Sequence, residues 1–405
     1  MRVETILRRQ LRLKNHRIRE VREEDKDLVA IVEHYPGRVY RCSGCGLKCS
    51  RIHSLQPERE WKDLALRSQV LILRYRPMRV RCLRCGVRIE EIPWADRWHR
   101  YTRALFSKIA WLTRRLTIKD CAEYLALDWK TVASALTAAV RWGQEKRGRV
   151  KPRILGIDEV SRRKGHKYLT LVYDLESRSL LWGGENRDAK SMEAFFSFLG
   201  DQGQWVTTVC CDMWAPYVDA VRQNLPKAQI VFDRFHVVAH LNKAVDDVRR
   251  KTWRDLPAEE RRSFKNTRFL WLKNPWNLKP KQRKQLNVLC RQTNAPIVRA
   301  YYLKEAFRSF WVYKSPSWSV PYLEEWLHAA KHSRLEPFSR FARMIEKHID
   351  GILAWTTLRV SSGAVEGLNN KVKAVSHRSY GFRNYQTYID AIWHNVAKLP
   401  LPDFS

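Results

Sequence analysis

Between Ile154 and Phe232 the apolar residues fall into short runs separated by charged, turn-like segments. Ile154 to Glu159, Tyr168 to Tyr173 and Ser179 to Trp182 read as three consecutive strands, close enough along the chain to pair antiparallel. Ser191 to Leu199 has helical spacing, Val206 to Cys211 is a short continuous apolar run suited to a buried strand, Ala215 to Leu225 is again helical, and Gln229 to Phe232 closes the series as a strand. The predicted order is β-β-β-α-β-α-β. From about Trp253 to Leu358 the period is helical, rich in Trp, Arg and Lys, with no strand run.

Upstream the pattern differs. Residues 1–95 mix short β-like runs, such as Val70 to Tyr75, with two Cys-x-x-Cys-Gly turns. Tyr101 to Gly143 is helical, and within it Leu116 to Leu125, the turn Ala126-Leu127-Asp128 and a helix from Trp129 to Val140 have helix-turn-helix spacing. Ala122 is small where the helices would cross, Thr117 or Ile118 opens the first, and Val132 and Leu136 anchor the second. Lys130, Thr131 and Ser134, with Arg141 further along, then form a DNA-facing set. Gly143 to Pro152, carrying Lys146, Arg147, Arg149 and Lys151, reads as a basic linker that lies along phosphates.

Cys42-Ser43-Gly44-Cys45-Gly46 and Cys82-Leu83-Arg84-Cys85-Gly86 each present two thiols from one tight turn, and two such turns complete a closed tetrahedral zinc site. Cys42, Cys45, Cys82 and Cys85 are therefore the expected ligands of a structural Zn2+, with Cys49 and His53 as substitutes. The chain has nine cysteines and nothing resembling an export signal, which favours metal over disulfide.

Charge narrows the partner. Against 42 Asp and Glu stand 76 Lys and Arg, a net charge of +34, and the basic residues run from Arg2 to Arg383 rather than gathering in a tail. A long footprint on a polyanion follows. Charge alone also fits a ribosome-associated protein or a binder of anionic membranes, so the motifs must decide. No apolar stretch is long enough to span a bilayer, which places the expected protein in the cytoplasm, on the nucleoid, with no membrane partner.

The strand order is the RNase H-like plan, and three acidic residues stand where that plan holds its metals: Asp158 ending the first strand, Asp212 after the fourth, and Glu366 on a later helix. Three converging carboxylates can hold two Mg2+ or Mn2+ ions at the roughly 3.5 to 4 Å spacing used for in-line phosphoryl transfer. The gap from Asp212 to Glu366 is about three times that from Asp158 to Asp212, as an inserted helical subdomain requires. Its Trp271, Trp276, Trp311 and Trp318 are candidates for stacking on unpaired bases, although core packing is the commoner fate of such residues. Glu159, on the opposite strand face from Asp158, is set aside.

Gly156-Ile157-Asp158-Glu159, Cys211-Asp212-Met213-Trp214, Phe232-Asp233-Arg234-Phe235-His236 and Ser362-Gly363-Ala364-Val365-Glu366-Gly367-Leu368-Asn369-Asn370 together resemble the DDE insertion-sequence transposases of the ISL3 family, over nearly the whole chain. The resemblance implies a multidomain α+β protein: a zinc-binding module (1–95), a helix-turn-helix domain and linker (96–150), an RNase H-like catalytic core (151–250), an α-helical insertion (251–358) and a C-terminal part of the core (359–405). It implies binding to double-stranded DNA at terminal inverted repeats, cleavage at the element ends and transfer of the 3′-hydroxyls to target DNA, by a homodimer or higher oligomer. Asp233 and His236 resemble a supporting Asp-x-x-His signature; the alternative is that His236 caps a helix beginning near Val237 while Asp233 ends the strand. Lys373 resembles the phosphate-binding Lys after the third carboxylate; Ser362 stands where an Arg often precedes it. Lys371, Arg378 and Arg383, with Tyr380 and Phe382, form a candidate end-binding stretch. A stand-alone RNase H-like nuclease and a domesticated DNA-binding regulator are the alternatives; the presence of all three carboxylates argues against the second.

Overall fold

The computed structural model describes residues 3–66, 69–96, 99–163, 167–292, 296–360 and 363–404. It divides into two compact units, Arg149–Lys373 and a second made of Met1–Gly148 with Ala374–Ser405. Among the described residues, no helix is long and apolar enough to cross a membrane.

The first unit is built on five strands, β1 (Ile154–Arg163), β2 (Lys167–Asp174), β3 (Ser179–Glu185), β4 (Thr208–Cys211) and β5 (Gln229–Phe232). Their order in the sheet is β3-β2-β1-β4-β5. β1, β2 and β3 pair antiparallel, whereas β4 runs parallel to β1 and β5 parallel to β4. The two parallel steps need crossovers, which α1 (Ala189–Leu199) and α2 (Ala215–Asn224) provide. The predicted order of elements is the observed one.

β5 leads into the long helix α3 (Arg234–Asp255), followed by α4 (Ala258–Phe264), α5 (Arg268–Leu272), α6 (Pro280–Gln292), α7 (Pro296–Phe310), α8 (Pro316–Lys331), α9 (Glu336–Lys347) and α10 (Ile349–Leu358). These helices share the core of the sheet. One apolar cluster runs from Leu155, Val172 and Val231 in the strands, through Phe195 and Tyr217 in α1 and α2, to Trp271, Phe307, Trp326 and Phe338. Each such side chain contributes about 1.5 to 3 kcal/mol on burial, so the helical segment is part of the unit's stability. α11 (Gly363–Arg378) returns the chain to β1.

In the second unit a four-stranded sheet (His16–Glu24, Asp27–His34, Leu71–Tyr75 and Arg59–Lys62) lies in a chain segment that also forms a three-stranded sheet (Ile52–Leu55, Met78–Cys82, Gly86–Ile89). Three helices follow, Arg103–Thr113, Ile118–Tyr124 and Trp129–Lys146. The first is capped by Thr102, the second by Thr117 and the third by Asp128, whose side chain accepts from the Lys130 N–H at 2.7 Å. Ala126, at φ +50°, makes the turn between the last two, and Val132 and Leu136 are buried as anchors. Because the third helix continues to Lys146, the expected linker from Gly143 is helical in its first part.

The C-terminal segment departs from expectation. Residues 374–405, read from sequence as core, belong to the second unit. The helix Tyr385–Val396 packs on Trp129–Lys146, with the Thr137 hydroxyl donating to Asp390 at 2.6 Å and His394 buried against Ala110 and Thr113.

Candidate active site

The register of β1 against β4, Ile154 with Thr208 through Gly156 with Cys210, sets Asp158 beside Asp212 when continued two residues. Asp212 follows the end of β4, as expected. Asp158 does not end its strand: β1 continues to Arg163 because it still pairs with β2, and it is only the pairing with β4 that stops before Asp158. A carboxylate held by pairing on one side and released on the other is rigid and still reachable.

Both aspartates accept the next residue's N–H on Oδ1, Glu159 at 2.8 Å and Met213 at 2.6 Å. The other oxygens differ. Asp158 Oδ2 accepts from Asn369 Nδ2 at 2.5 Å, while Asp212 Oδ2 faces Arg187 at 3.5 Å. Burial pushes the Asp158 carboxyl up, opposed by the Glu159 N–H, His236 and Asn369.

His236 lies between the carboxylates, Nε2 3.9 Å from Asp158 and 3.8 Å from Asp233, and Nδ1 3.7 Å from Asp212. These distances are too long for hydrogen bonds. Asp233 caps α3 through Oδ1, which accepts from the Phe235 N–H at 2.7 Å, and turns Oδ2 to His236. The helix therefore begins at Arg234 rather than near Val237, and Asp233, not His236, caps it; the cap fixes the helix turn that carries the imidazole.

Glu366 lies in the first turn of α11, exposed. Its helix is pinned to β1 twice. A Cβ on Gly156 would come within 2.7 Å of Val365 and 2.8 Å of Leu175, so only glycine allows this approach. One helical turn beyond Glu366, Asn369 reaches Asp158 and accepts from the Tyr173 hydroxyl at 2.7 Å. Among the described residues, Asp158, Asp212 and Glu366 do not form a ready-made group at common ligand distance. Glu366 instead borders a cavity of about 270 Å³ lined also by Arg234, Trp276, Lys304 and Arg308. Lys304, buried, donates to the Trp271 carbonyl at 2.8 Å, and the Arg308 guanidinium lies 4.2 Å from the centre of the Trp276 ring.

Two residues escaped sequence reasoning. Asn369 was visible within the block after Glu366, its spacing of one turn being the signal. Arg187 had none, since it sits in the turn after β3 and only the fold brings it to the site. Its guanidinium is 2.7 Å from Glu159, close but not aligned as a hydrogen bond, and it stacks on Trp214 at 4.6 Å. Glu159, set aside from sequence, is 8 % exposed and is linked through Arg187 to Asp212. It anchors the site without lying among the carboxylates.

Of the four tryptophans, Trp271 and Trp311 are core residues, filling the helical segment's interior; Trp276 and Trp318 remain 62 % and 72 % exposed. Lys371, Lys373 and Arg383 are exposed. The Arg378 guanidinium donates to the carbonyls of Arg114 and Arg115 and so closes a helix end within the second unit. Phe382 stacks on Tyr388 at 4.9 Å. Ser362 lies outside the described residues.

In the second unit the sulfurs of Cys42, Cys45, Cys82 and Cys85 lie within 4.8 Å of one another. Gly46 and Gly86, at φ +71° and +70°, permit the turn after each pair. Backbone N–H groups of Cys85 and Arg84 push the Cys82 thiol down, whereas hydrogen bonding with the Cys45 and Cys42 thiols pushes Cys85 up, as expected of four sulfurs crowded together. Cys49 is buried beside this group without joining it, and His53 is exposed on the neighbouring strand. On the helix Trp129–Lys146, Lys130, Ser134 and Arg141 are exposed and Thr131 half-buried, opposite the buried Val132, Leu136 and Ala139.

A DDE transposase model of the ISL3 group, described as "Transposase", matches residues 155–392, and one described as "Helix-turn-helix domain of transposase family ISL3" matches 90–140. A transposase for insertion sequence element IS1001 from Bordetella parapertussis is 31% identical over 87% of this chain and 87% of its own length. One for IS1557 from Mycobacterium tuberculosis is 30% identical, covering 86% of this chain and 84% of its own. A chain of the Drosophila P element transposase strand transfer complex aligns at 10% identity and a TM-score of 0.40, over 75% of this chain and 93% of that one.

Proposed function

The chain belongs to the ISL3 family of insertion-sequence transposases, and from that premise we propose that it binds the terminal inverted repeats of its element, cleaves DNA at the ends and joins the 3′-hydroxyls to target DNA. The observation that carries this reading is the placement of Asp158 on β1 beside Asp212 just past the end of β4, with the helix bearing Glu366 pinned to β1. The sheet order and its change from antiparallel to parallel support an RNase H-like core interrupted by a helical insertion.

The donor set suits hard divalent cations: carboxylate oxygens, partly desolvated, with more acidic than basic side chains around them. Asp158, Asp212 and Glu366 would hold Mg2+ or Mn2+, two per site. When bound, such ions polarise the scissile phosphate and make the attacking water or 3′-hydroxyl a better nucleophile. The chain's own residues do the rest. Asn369 orients Asp158, Arg187 offsets charge at Asp212, and the capped turn holds His236 between them. Arg234 gives the cavity beside Glu366 a positive edge for phosphate, Lys304 and Arg308 being paired with Glu305, and Trp276 offers an exposed ring for a displaced base.

Lys130, Thr131, Ser134 and Arg141 would contact duplex DNA from the helix-turn-helix, with Lys371, Lys373 and Arg383 adding phosphate contacts. The four clustered cysteines would hold a structural Zn2+. Pairing two element ends requires at least a dimer in the active complex, by symmetry of the DNA.

The test is a Mg2+- or Mn2+-dependent cleavage assay on DNA carrying the element ends, with wild type beside Glu366→Gln. Nicking at the ends that vanishes in the variant is expected. Specific binding without cleavage by wild type would instead leave a DNA-binding regulator.

A further inference from the structure

His16, His34 and Glu90 form a second group whose ligand atoms lie within 4.8 Å of one another, apart from the four cysteines. The three come from different places: His16 opens the strand His16–Glu24, His34 ends the strand Asp27–His34, and Glu90 follows the strand Gly86–Ile89. The register pairs His16 with His34 across the first two strands, and Glu90 bridges to Cys42. The group therefore lies where the four-stranded sheet meets the cysteine turns.

Backbone carbonyls set the tautomer of both imidazoles. His16 Nδ1 lies 2.6 Å from the Lys14 carbonyl and His34 Nδ1 lies 3.0 Å from the Tyr35 carbonyl. A carbonyl accepts only, so each Nδ1 carries the proton and each Nε2 keeps its lone pair, the arrangement that a backbone carbonyl commonly imposes on a ligating histidine. His16 is 3% exposed, yet its Nε2 has no hydrogen-bond partner.

Glu90, 2% exposed, is fixed from the other side. Its Oε1 accepts from the Tyr75 hydroxyl at 2.8 Å and the Met78 N–H at 2.7 Å, which leaves Oε2 turned toward His16 Nε2 at 4.0 Å. That distance is too long for a hydrogen bond. A tetrahedral ion with bonds of about 2.0 to 2.1 Å holds its ligands about 3.3 Å apart, a small contraction from what is observed.

We infer that His16, His34 and Glu90 bind a second transition-metal ion, Zn2+ by donor type, that ties the four-stranded sheet to the cysteine turns. Two nitrogens and one carboxylate oxygen leave the fourth position to water. The inference does not depend on the reaction proposed for the core.

The experiment uses the full chain, stripped of metal, held in excess Mg2+ so that the core carboxylates are already occupied, and titrated with Co2+ and, separately, with Zn2+ counted by mass spectrometry. The four-thiolate site adds a thiolate-to-cobalt charge-transfer band that saturates at one equivalent. A second equivalent is expected to add d–d absorption without that band, and to be lost in His34→Gln and in Glu90→Gln while the first remains. Glu90→Gln keeps an oxygen for Tyr75 and Met78, so its fold is maintained, and circular dichroism checks this. Saturation of wild type at the thiolate equivalent alone, or a second equivalent that survives both substitutions, overturns the inference; the wild-type titration decides even if a variant fails to fold.

Discussion

Asn369 donates its side-chain N–H to Asp158 Oδ2 at 2.5 Å, and it does so from the same helix that carries Glu366. The Tyr173 hydroxyl holds the other end of the amide. One side chain thus fixes the orientation of a carboxylate on the sheet and the seating of a helix against it. Asn369→Ala is expected to lower the cleavage rate by about ten- to a hundredfold and to raise the Mg2+ concentration needed for half-maximal rate, as loss of a ligand's orienting partner does. Metal titrations of the cleavage rate check this; an unchanged Mg2+ requirement would remove Asn369 from the site.

Arg187 stands between Glu159 and Asp212 and is stacked on Trp214. Burial pushes the Glu159 carboxyl up, while Arg187 and the Tyr217 hydroxyl oppose that. Arg187→Ala leaves a buried carboxylate without its cation, for which about 2 to 3 kcal/mol of stability is the expected loss. Adding Glu159→Gln removes the stranded charge, so the double variant should recover much of it. Chemical denaturation of the four proteins of this cycle gives the coupling, and additive effects would refute the pairing.

Gly156 has Val365 and Leu175 where a Cβ would stand. Gly156→Ala should cost about 1 to 3 kcal/mol by overpacking and should impair cleavage more than end binding, because α11 is displaced from β1. Val365→Ala in the same chain removes the nearest contact and is expected to restore part of both. Melting temperature and cleavage rate, compared across wild type and the two variants, test whether helix seating links stability to activity.

The strand order was legible because each core strand is a short apolar run bounded by charged turns, and the family blocks located Asp158, Asp212 and Glu366 along the chain. The length of β1 was not, since Ser161, Arg162 and Arg163 look like a turn and extend the strand only because β2 lies alongside. The partner of the last helix was also hidden. Tyr388, Ile389, Ile392, Trp393 and Val396 announce a buried helix, but the surface that buries them is the helix Trp129–Lys146. Trp271 and Trp276 show the same limit at closer range: five residues apart and alike in composition of neighbourhood, one is core and the other exposed. Periodicity reports that a side chain has a face, and only the fold says what covers it.

His394 is 1% exposed, with Nε2 donating to the Ala110 carbonyl at 2.7 Å and Nδ1 without a partner. Burial lowers its pKa from 6.5 to about 4, and the nearby Arg114 acts in the same direction. A histidine depressed in the folded state takes up its proton more readily when unfolded, so stability is full above about pH 6.5 and is lost as the pH falls toward 4. The fall in pKa corresponds to roughly 3 kcal/mol at the acid end. His394→Gln retains a donor for Ala110 and does not titrate, so its stability should vary less between pH 7 and pH 4.5. Denaturation curves of wild type and variant across that range check the prediction, and parallel pH profiles would show that His394 is not a source of acid sensitivity.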